Sequence, residues 1–205
     1  MSKFTNNYHR IDTANMNNGV GVRTVIWFAG CPHHCKGCFS PQTFNPKGGK
    51  PFDDDAYLEF MNGVKEPFCC GCTLLGGEPL APYNVEASTQ LAKDVKAMGK
   101  TVWCYSGYYY DEVKDLEIME YIDVLIDGRF ILKQFNSKLK WRGSANQRVI
   151  DVQATRQQGS IVLHPDSNTV DEYHPEEAYD PCKDMTPQEI KEKYIDNPCN
   201  EGDFW

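Results

Sequence analysis

Three cysteines lie close together in the chain, and their spacing suits metal chemistry. Cys31, Cys35 and Cys38 belong to the run Ala29-Gly30-Cys31-Pro32-His33-His34-Cys35-Lys36-Gly37-Cys38-Phe39. Three thiolates can hold three corners of a [4Fe–4S] cube. Because the run has no fourth cysteine, one iron would stay open to a ligand from outside the chain.

The spacing differs from the commoner cysteine motifs. Small electron carriers use Cys-x-x-Cys-x-x-Cys with a further cysteine before a proline, and structural zinc sites use paired Cys-x-x-Cys knuckles. The run here is Cys-x-x-x-Cys-x-x-Cys. It resembles the motif of the radical S-adenosylmethionine enzymes, in which the amino and carboxylate groups of that cofactor chelate the open iron.

The residues on either side of the third cysteine resemble those of one particular family within these enzymes. The broad superfamily has an aromatic residue just before it, whereas here Gly37 precedes Cys38 and Phe39 follows. This arrangement is similar to the activating protein of anaerobic (class III) ribonucleoside-triphosphate reductase. Other segments resemble that family in order and spacing: Asn18-Gly19-Val20-Gly21 with Arg23, Leu75 to Asn84, Tyr105 to Tyr108, Ile126 to Phe130, and Trp141 to Arg148. The resemblance covers roughly residues 8 to 150.

The resemblance implies an α/β fold, a partial, open βα barrel of the radical S-adenosylmethionine type. It implies two cofactors, a [4Fe–4S] cluster on Cys31, Cys35 and Cys38, and S-adenosylmethionine. Electron transfer from the cluster would cleave the sulfonium to methionine and a 5′-deoxyadenosyl radical, which would take hydrogen from a glycine of the reductase. The implied partners are the glycyl radical subunit of that reductase and a one-electron donor such as flavodoxin or ferredoxin.

The resemblance also assigns cofactor contacts to residues near the ends of predicted strands. These are Gly37, Cys38, Phe39, Gly76, Gly77, Glu78, Ser106, Asp127 and Arg129. The segment around Glu78 would bind the methionine amino group, and Ser106 would lie near the ribose. Two glycines after a strand, Gly76 and Gly77, also indicate backbone that approaches a ligand closely.

Each assignment has a plain structural alternative. Glu78 is otherwise a solvated loop acid, and Ser106 caps the turn that follows it. Phe39 is either a neighbour of the adenine or a packed core aromatic. Asp127 and Arg129 either contact the cofactor or form an ordinary ion pair.

Other candidate metal ligands are interpreted as structural. His33 and His34 lie between the cluster cysteines, but three thiolates already supply the ligands, so we expect both to be exposed loop residues. Cys69 and Cys72 have the spacing of a metal knuckle, yet small thiols are common in buried strands. An auxiliary metal site stays an alternative, with Cys70 nearby and Cys104, Cys182 or Cys199 to complete it.

Apolar, β-branched segments alternate with segments of helical spacing, which predicts βα units around a parallel sheet. Strands are predicted over Thr24 to Ala29, Cys72 to Leu75, Thr101 to Tyr105 and Asp123 to Asp127. Helices are predicted over Asp53 to Lys65, Val85 to Met98 and Asp111 to Tyr121. Later strands or a hairpin are predicted over Arg148 to Val152 and Ser160 to His164. Each candidate motif follows the carboxyl end of a strand. Since such loops meet at one edge of an α/β sheet, the motifs should converge.

The charge is concentrated at the carboxyl end. The net charge of −8 divides into near neutrality over residues 1–164 and −9 over residues 165–205, where twelve acids face three lysines. We therefore expect a body of residues 1–164 and an acidic tail of residues 165–205, with one helix beginning near Thr186-Pro187-Gln188-Glu189. The body shows no basic stripe, which argues against a nucleic-acid partner.

Nine cysteines, an odd and clustered set, favour a reducing cytosol over a disulfide framework. The residues up to Arg23 are polar, and the apolar run Val25 to Ala29 is too short to span a bilayer. These features predict a cytoplasmic protein with no membrane partner.

Two other functions stay open. An activator of another glycyl radical enzyme, or another radical S-adenosylmethionine enzyme, would share the cluster motif, although the match over Trp141 to Arg148 argues against it. An iron–sulfur electron-transfer or metal-binding module would instead need a fourth ligand from the protein.

Overall fold

A computed structural model describes residues 4–168 of the chain. The strands are β1 (Asn7–Asn15), β2 (Val22–Phe28), β3 (Lys50–Pro51), β4 (Cys69–Gly76), β5 (Thr101–Tyr105), β6 (Val124–Asp127) and β7 (Arg148–Asp151). The α-helices are α1 (Asp54–Lys65), α2 (Val85–Ala97), α3 (Tyr110–Val113) and α4 (Val152–Gln158). Short 3-10 helices cover Pro41–Thr43, Glu117–Glu120, Leu132–Gln134 and Pro165–Asn168.

The strands form one mixed sheet in the order β3-β1-β2-β4-β5-β6-β7. The central four, β2, β4, β5 and β6, are parallel, while β1, β3 and β7 run antiparallel to their neighbours. The sheet does not close on itself, since β3 and β7 lie at opposite edges. The fold is therefore a mixed α/β structure in which four consecutive parallel strands end at the same edge.

Helices α1 and α2 match the predicted helices to within one residue at each end. The Asp53 carboxylate accepts a hydrogen bond from the amide of Ala56 at 3.0 Å, which satisfies a donor that the first turn of α1 leaves free. The second helix, α2, ends before Gly99, whose φ of +71° suits glycine and lets the chain turn into β5. Apolar faces of α1 and α2 pack on the sheet through Phe60 and Leu91, both fully buried.

Several elements differ from the sequence-based predictions. The first strand, β1, was not predicted, because only part of it is buried. The helix predicted over Asp111 to Tyr121 is instead the short α3 followed by the 3-10 turn Glu117–Glu120. The strand predicted over Arg148 to Val152 ends at Asp151, whose carboxylate caps α4. In the strand predicted over Ser160 to His164, the structure has only an isolated bridge between Leu163 and Ile150.

The predicted tail falls almost wholly outside the described residues, as does the helix predicted near Thr186. Within residues 4–168, no helix has the length and apolar character needed to cross a bilayer.

Candidate active site

The cysteine run forms a loop that leaves the carboxyl end of β2. Gly30 has a φ of +89° and donates from its amide to the carbonyl of Thr43 at 2.7 Å. The amide of Cys31 likewise donates to the carbonyl of Phe44 at 3.1 Å. These bonds hold the loop, which we call the cluster loop (residues 30–40), against the segment that follows it.

The three thiols of the cluster loop are partly buried and lie close enough to influence one another. Burial raises the pKa of Cys31 to about 12, and it also raises the pKa values of Cys35 and Cys38. Mutual repulsion among the sulfurs contributes, as does the nearby carboxylate of Glu78 for Cys31 and Cys35. The metal-free thiols are therefore protonated at neutral pH, and bound iron must supply the charge that makes them thiolates.

Main-chain N–H groups lie near all three thiols. The amide of Ser40 donates to the sulfur of Cys38 at 3.4 Å, and the nearby amides of His33 and Phe130 oppose the rise in the pKa of Cys31 and of Cys35. Such hydrogen bonds stabilise thiolates and tune the reduction potential of an iron–sulfur cluster.

The donor set suits a cluster better than a single ion. Among residues 4–168, no three His, Cys, Asp or Glu side chains come close enough together to hold one metal ion. A cubane binds each cysteine through a different iron, so it accepts thiolates that are farther apart. Three half-buried thiols with main-chain N–H groups nearby fit that requirement.

The auxiliary metal site considered around Cys69 and Cys72 does not form within the described residues. Cys69 and Cys72 are buried in β4, whereas Cys70 is exposed. Burial raises the pKa of Cys72 to about 12, as expected for a thiol that packs in a core. Cys182 and Cys199 lie outside the described residues.

Gly76 ends β4 and Gly77 follows it, and both positions require glycine because the backbone of β2 and of Gly30 lies so close. A Cβ atom added to Gly76 would come within 2.5 Å of the Cα of Trp27, and one added to Gly77 would come within 2.3 Å of the carbonyl oxygen of Gly30. Gly77 donates from its amide to the carbonyl of Phe28 at 2.8 Å. The close approach that the glycine pair predicted is thus met by the chain's own backbone.

The ladder between β2 and β4 continues past the strand ends. Glu78 donates from its amide to the carbonyl of Gly30 at 2.7 Å. Because Gly30 opens the cluster loop, this bond joins the start of that loop directly to the Gly-Gly-Glu turn.

Glu78 is a buried hydrogen-bonding centre, so its interpretation as a solvated loop acid is wrong. Its side chain is 1% exposed. Oε1 accepts from the hydroxyl of Ser106 at 2.9 Å and from the amide of Leu80 at 3.0 Å. Oε2 lies 2.7 Å from the amide nitrogen of Gly107 and 2.9 Å from Nε2 of His33. Ser106 also accepts from the amide of Tyr108 at 3.0 Å, so it does cap its turn.

The expectation that both loop histidines are exposed is half wrong. His34 is exposed, but the side chain of His33 is only 4% exposed. Its ring packs edge-on against Tyr108, with 4.5 Å between the ring centroids, and bonds Glu78. No sequence signal gave this contact, because the two partners are 45 residues apart.

Asp127 lies at the end of β6, and its ion pair is not with Arg129. Its carboxylate accepts from Nε of Arg148 at 2.9 Å, from the second guanidinium nitrogen, and from the amide of Tyr110 at 2.9 Å. Arg129 is exposed and forms no ion pair within the described part of the chain. Sequence reasoning missed Arg148 as the partner, although it lies in the segment Trp141 to Arg148.

Phe39 is 64% exposed, so it is not a core aromatic. It packs against Phe130 and Phe135, with ring centroids 5.2 and 5.5 Å away. Gly37 has a φ of +73°, and a Cβ there would lie 2.8 Å from a methyl group of Leu132. These contacts place an apolar rim beside the cluster loop and explain why glycine precedes the third cysteine.

The segment from Trp141 to Arg148 supports the end of β6. Oε1 of Gln147 accepts from the amides of Gly143 and Ser144 at 2.9 and 3.1 Å, and Nε2 donates to the carbonyl of Gly128 at 3.0 Å. Asn146 donates to the carbonyl of Arg129 at 2.8 Å. The segment therefore fixes the loop that carries the Phe130 amide.

The structure brings together the cluster loop, the Gly-Gly-Glu turn, the loop after β5 and the loop after β6, as the strand order predicted. Direct bonds join the first three at Glu78, and the ring contact between Phe39 and Phe130 joins the fourth to the cluster loop. The carboxyl edge of the parallel strands thus holds three candidate metal-binding thiols beside the buried carboxylate of Glu78.

Comparisons with known proteins agree with this geometry. The family described as "4Fe-4S single cluster domain" matches residues 17–150. A relative from Enterobacteria phage T4 is 39% identical over 145 residues, which are 70% of this chain and 92% of the relative. One from Haemophilus influenzae is 39% identical over 147 residues, 69% and 95% of the two chains, and one from Escherichia coli (strain K12) is 34% identical over 149 residues, 70% and 97%.

All three relatives are named anaerobic ribonucleoside-triphosphate reductase-activating protein. The matched region contains all four loops of the site, and the tail lies beyond it. The chain therefore belongs to the family of anaerobic ribonucleoside-triphosphate reductase-activating proteins, with a 4Fe-4S single cluster domain.

Proposed function

We propose that this protein activates an anaerobic ribonucleoside-triphosphate reductase by forming a glycyl radical on it, with a [4Fe–4S] cluster on Cys31, Cys35 and Cys38 and with S-adenosylmethionine as cofactor. The observation that carries the proposal is the grouping of three partly buried thiols beside Glu78 at the edge where four parallel strands end. Three thiols leave one iron for a cofactor.

When bound, the cluster and cofactor supply a reductive cleavage of the sulfonium that yields methionine and the 5′-deoxyadenosyl radical. The chain binds and orients the groups for this step. The amide of Ser40, which bonds Cys38, and the nearby amides of His33 and Phe130 would stabilise negative charge on the cysteine sulfurs. The buried turn at Glu78 would lie beside the methionine amino group of the cofactor. Ser106 would lie near the ribose, and Phe39 would lie near the adenine.

The proposal includes the partial barrel of the radical S-adenosylmethionine type. Four parallel strands in an open sheet leave the site uncovered on one side, and an eight-unit barrel typically takes about 250 residues. An open edge suits a glycine-bearing loop of a large partner. The exposed Phe39 and Arg129 lie at this edge and would contact that loop.

We also propose a cytoplasmic protein with a flavodoxin or ferredoxin as electron donor. Its body is residues 1–164, and residues 165–205 form an acidic appendage. Asp127 would affect the cofactor only indirectly, through the residues that it holds in place at the end of β6. Its carboxylate is occupied by hydrogen bonds from Arg148 and from the amide of Tyr110.

Anaerobic reconstitution tests the proposal. The full chain is loaded with iron and sulfide, reduced with dithionite, and assayed for 5′-deoxyadenosine; a candidate reductase is then added and the glycyl radical is sought by electron paramagnetic resonance. We expect both products, and we expect Cys31→Ala, Cys35→Ala and Cys38→Ala to abolish both. Cys70→Ser, at an exposed cysteine outside the site, is the matched control and should retain them.

Two results would contradict the proposal. A cluster whose spectrum does not change when S-adenosylmethionine is added would indicate four protein ligands and hence an electron carrier. Cleavage of the cofactor without a glycyl radical on any anaerobic reductase would point to another radical enzyme.

A further inference from the structure

We propose that His33 is a positioning residue that sets the distance between the cluster loop and the cofactor-binding turn, acting through Glu78. This inference rests on the proposed function. It assigns a role to a residue that the cysteine motif itself leaves unspecified.

The first step concerns the capacity of Glu78. A carboxylate has two oxygens with about two acceptor positions each. Four donors occupy them: the Ser106 hydroxyl, the amides of Leu80 and Gly107, and Nε2 of His33. With its side chain 1% exposed, Glu78 has no open position for the ammonium group of a cofactor. Its carboxylate therefore joins parts of the protein rather than pairing directly with the ligand.

The second step concerns which parts are joined. Leu80 belongs to the same turn as Glu78, and Ser106 and Gly107 follow β5. His33 alone among the four donors comes from the cluster loop. Removing its Nε2 contact would cut the side-chain bond between that loop and the turn, and would leave only the main-chain bond of Glu78 to Gly30.

The third step concerns how firmly His33 is held. Its ring contacts Tyr108 edge-on, and a Cβ on Gly107 would come within 2.3 Å of the ring. The main chain of His33 lies beside the thiol of Cys31, two residues earlier in the cluster loop. One residue thus links a cluster ligand to the buried carboxylate, so a shift of the ring moves the Cys31 side of the loop.

The main variant is His33→Phe, which keeps a ring against Tyr108 but removes the nitrogen. His33→Gln is the rescue variant, because its amide nitrogen reaches about as far as Nε2. His34→Asn is the matched control, since His34 is exposed at a φ of +46° that asparagine tolerates. If His33→Phe fails to load iron as the wild type does, His33→Ala replaces it.

Two measurements are made on the full chain. Hydrogen exchange of the iron-free protein reports protection of the Gly107 amide, which shares Oε2 with His33. The dissociation constant of S-adenosylmethionine is measured from the spectral change of the reconstituted cluster. We expect His33→Phe to speed Gly107 exchange and to raise the dissociation constant about tenfold at equal iron content. His33→Gln and His34→Asn should stay near the wild-type values.

A double-mutant cycle with Glu78→Gln separates positioning from direct binding. If His33 acts through Glu78, the two changes together should weaken binding little more than either alone. Additive effects would overturn the proposed route, because Glu78 would then contact the cofactor independently. Unchanged Gly107 exchange, or an unchanged dissociation constant in His33→Phe, would overturn the role itself. A wild-type protein that neither binds nor cleaves the cofactor contradicts the proposed function instead, while the exchange measurement still decides whether the His33 contact exists.

Discussion

Arg23 donates from Nε to the hydroxyl oxygen of Thr73 at 2.8 Å, so a fully buried cation joins β2 to β4. Its other guanidinium nitrogens bond the carbonyls of Val20, Cys72 and Thr101 and the hydroxyl of Thr101. Burial lowers the pKa of Arg23. The five bonds offset the loss of water around the charge, and they fix the end of the sheet opposite the site.

Arg23→Met should lower the free energy of unfolding by about 3 kcal/mol, because methionine leaves several buried oxygens without a donor. Urea denaturation of the full chain measures the change. Arg10→Met is the control: Arg10 is exposed and pairs with Asp12 at the surface, so its loss should stay below about 1 kcal/mol. Equal losses for the two variants would contradict the structural role of Arg23.

Cysteine alkylation should follow exposure and metal binding. In the iron-loaded protein, we expect Cys70 to react with iodoacetamide while Cys31, Cys35 and Cys38 are protected; after chelation of the iron, these three should react as well. Cys72 should stay unlabelled in both states. It is fully buried in β4, whereas the three thiols of the cluster loop are partly exposed, so the reagent should not reach it at pH 7 or at pH 9.

Mass spectrometry of the labelled peptides gives the rate at each cysteine. Labelling of Cys31 at the same rate before and after removal of iron would mean that it is not a ligand.

Gly77→Ala should displace the cluster loop, because the added Cβ would meet the Gly30 carbonyl at 2.3 Å and backbone cannot move aside cheaply. We expect less iron bound per chain after reconstitution, measured by iron analysis. Gly99→Ala is the matched control. A Cβ there meets nothing within 4 Å, so the variant should lose about 1 kcal/mol through its positive φ and load iron normally.

Asp127→Asn should destabilise the end of β6 by about 2 kcal/mol. Asparagine places an NH₂ group against the Arg148 guanidinium or the Tyr110 amide, both of which need an acceptor. The midpoint of thermal unfolding measures the effect. Asp111→Asn, at an acid whose side chain is 75% exposed, should change it little. A stable Asp127→Asn that loses only cofactor affinity would favour direct contact of Asp127 with the ligand.

The sequence predicts the parallel half of the sheet well, and the reason is physical. β4 and β6 are almost continuously buried strands, and burial on both faces requires the apolar runs that are visible in the sequence. β1 lacks that pattern. It covers the edge of β2 with residues such as Arg10 and Asp12 facing solvent, and its pairing depends on the partner strand rather than on its own composition.

Local sequence also cannot decide between two helical forms over a short span. The segment from Asp111 to Tyr121 has helical spacing, but the amides of Leu116 and Met119 bond carbonyls three residues back. This tighter winding turns the chain sharply enough to bury Ile118 and Met119.

The loops that carry the motifs converge at one edge of the sheet, as the strand order predicts. Which side chains bond each other within those loops depends on tertiary contacts that the sequence does not reveal. Glu78 could be identified as a candidate from its motif, but its burial depends on Ser106 and His33, which are distant in sequence. Asp127 likewise finds Arg148 because β7 runs antiparallel beside β6, and not the nearer Arg129.

The main-chain bonds of Gly77 to Phe28 and of Glu78 to Gly30 anchor the start of the cluster loop to the Gly-Gly-Glu turn. Thermal motion that displaces the turn therefore carries the first residues of that loop with it, and the bond of His33 to Glu78 extends the coupling along the loop. In the proposed function, a cluster held by this loop and a cofactor held at the turn would keep a constant separation during electron transfer.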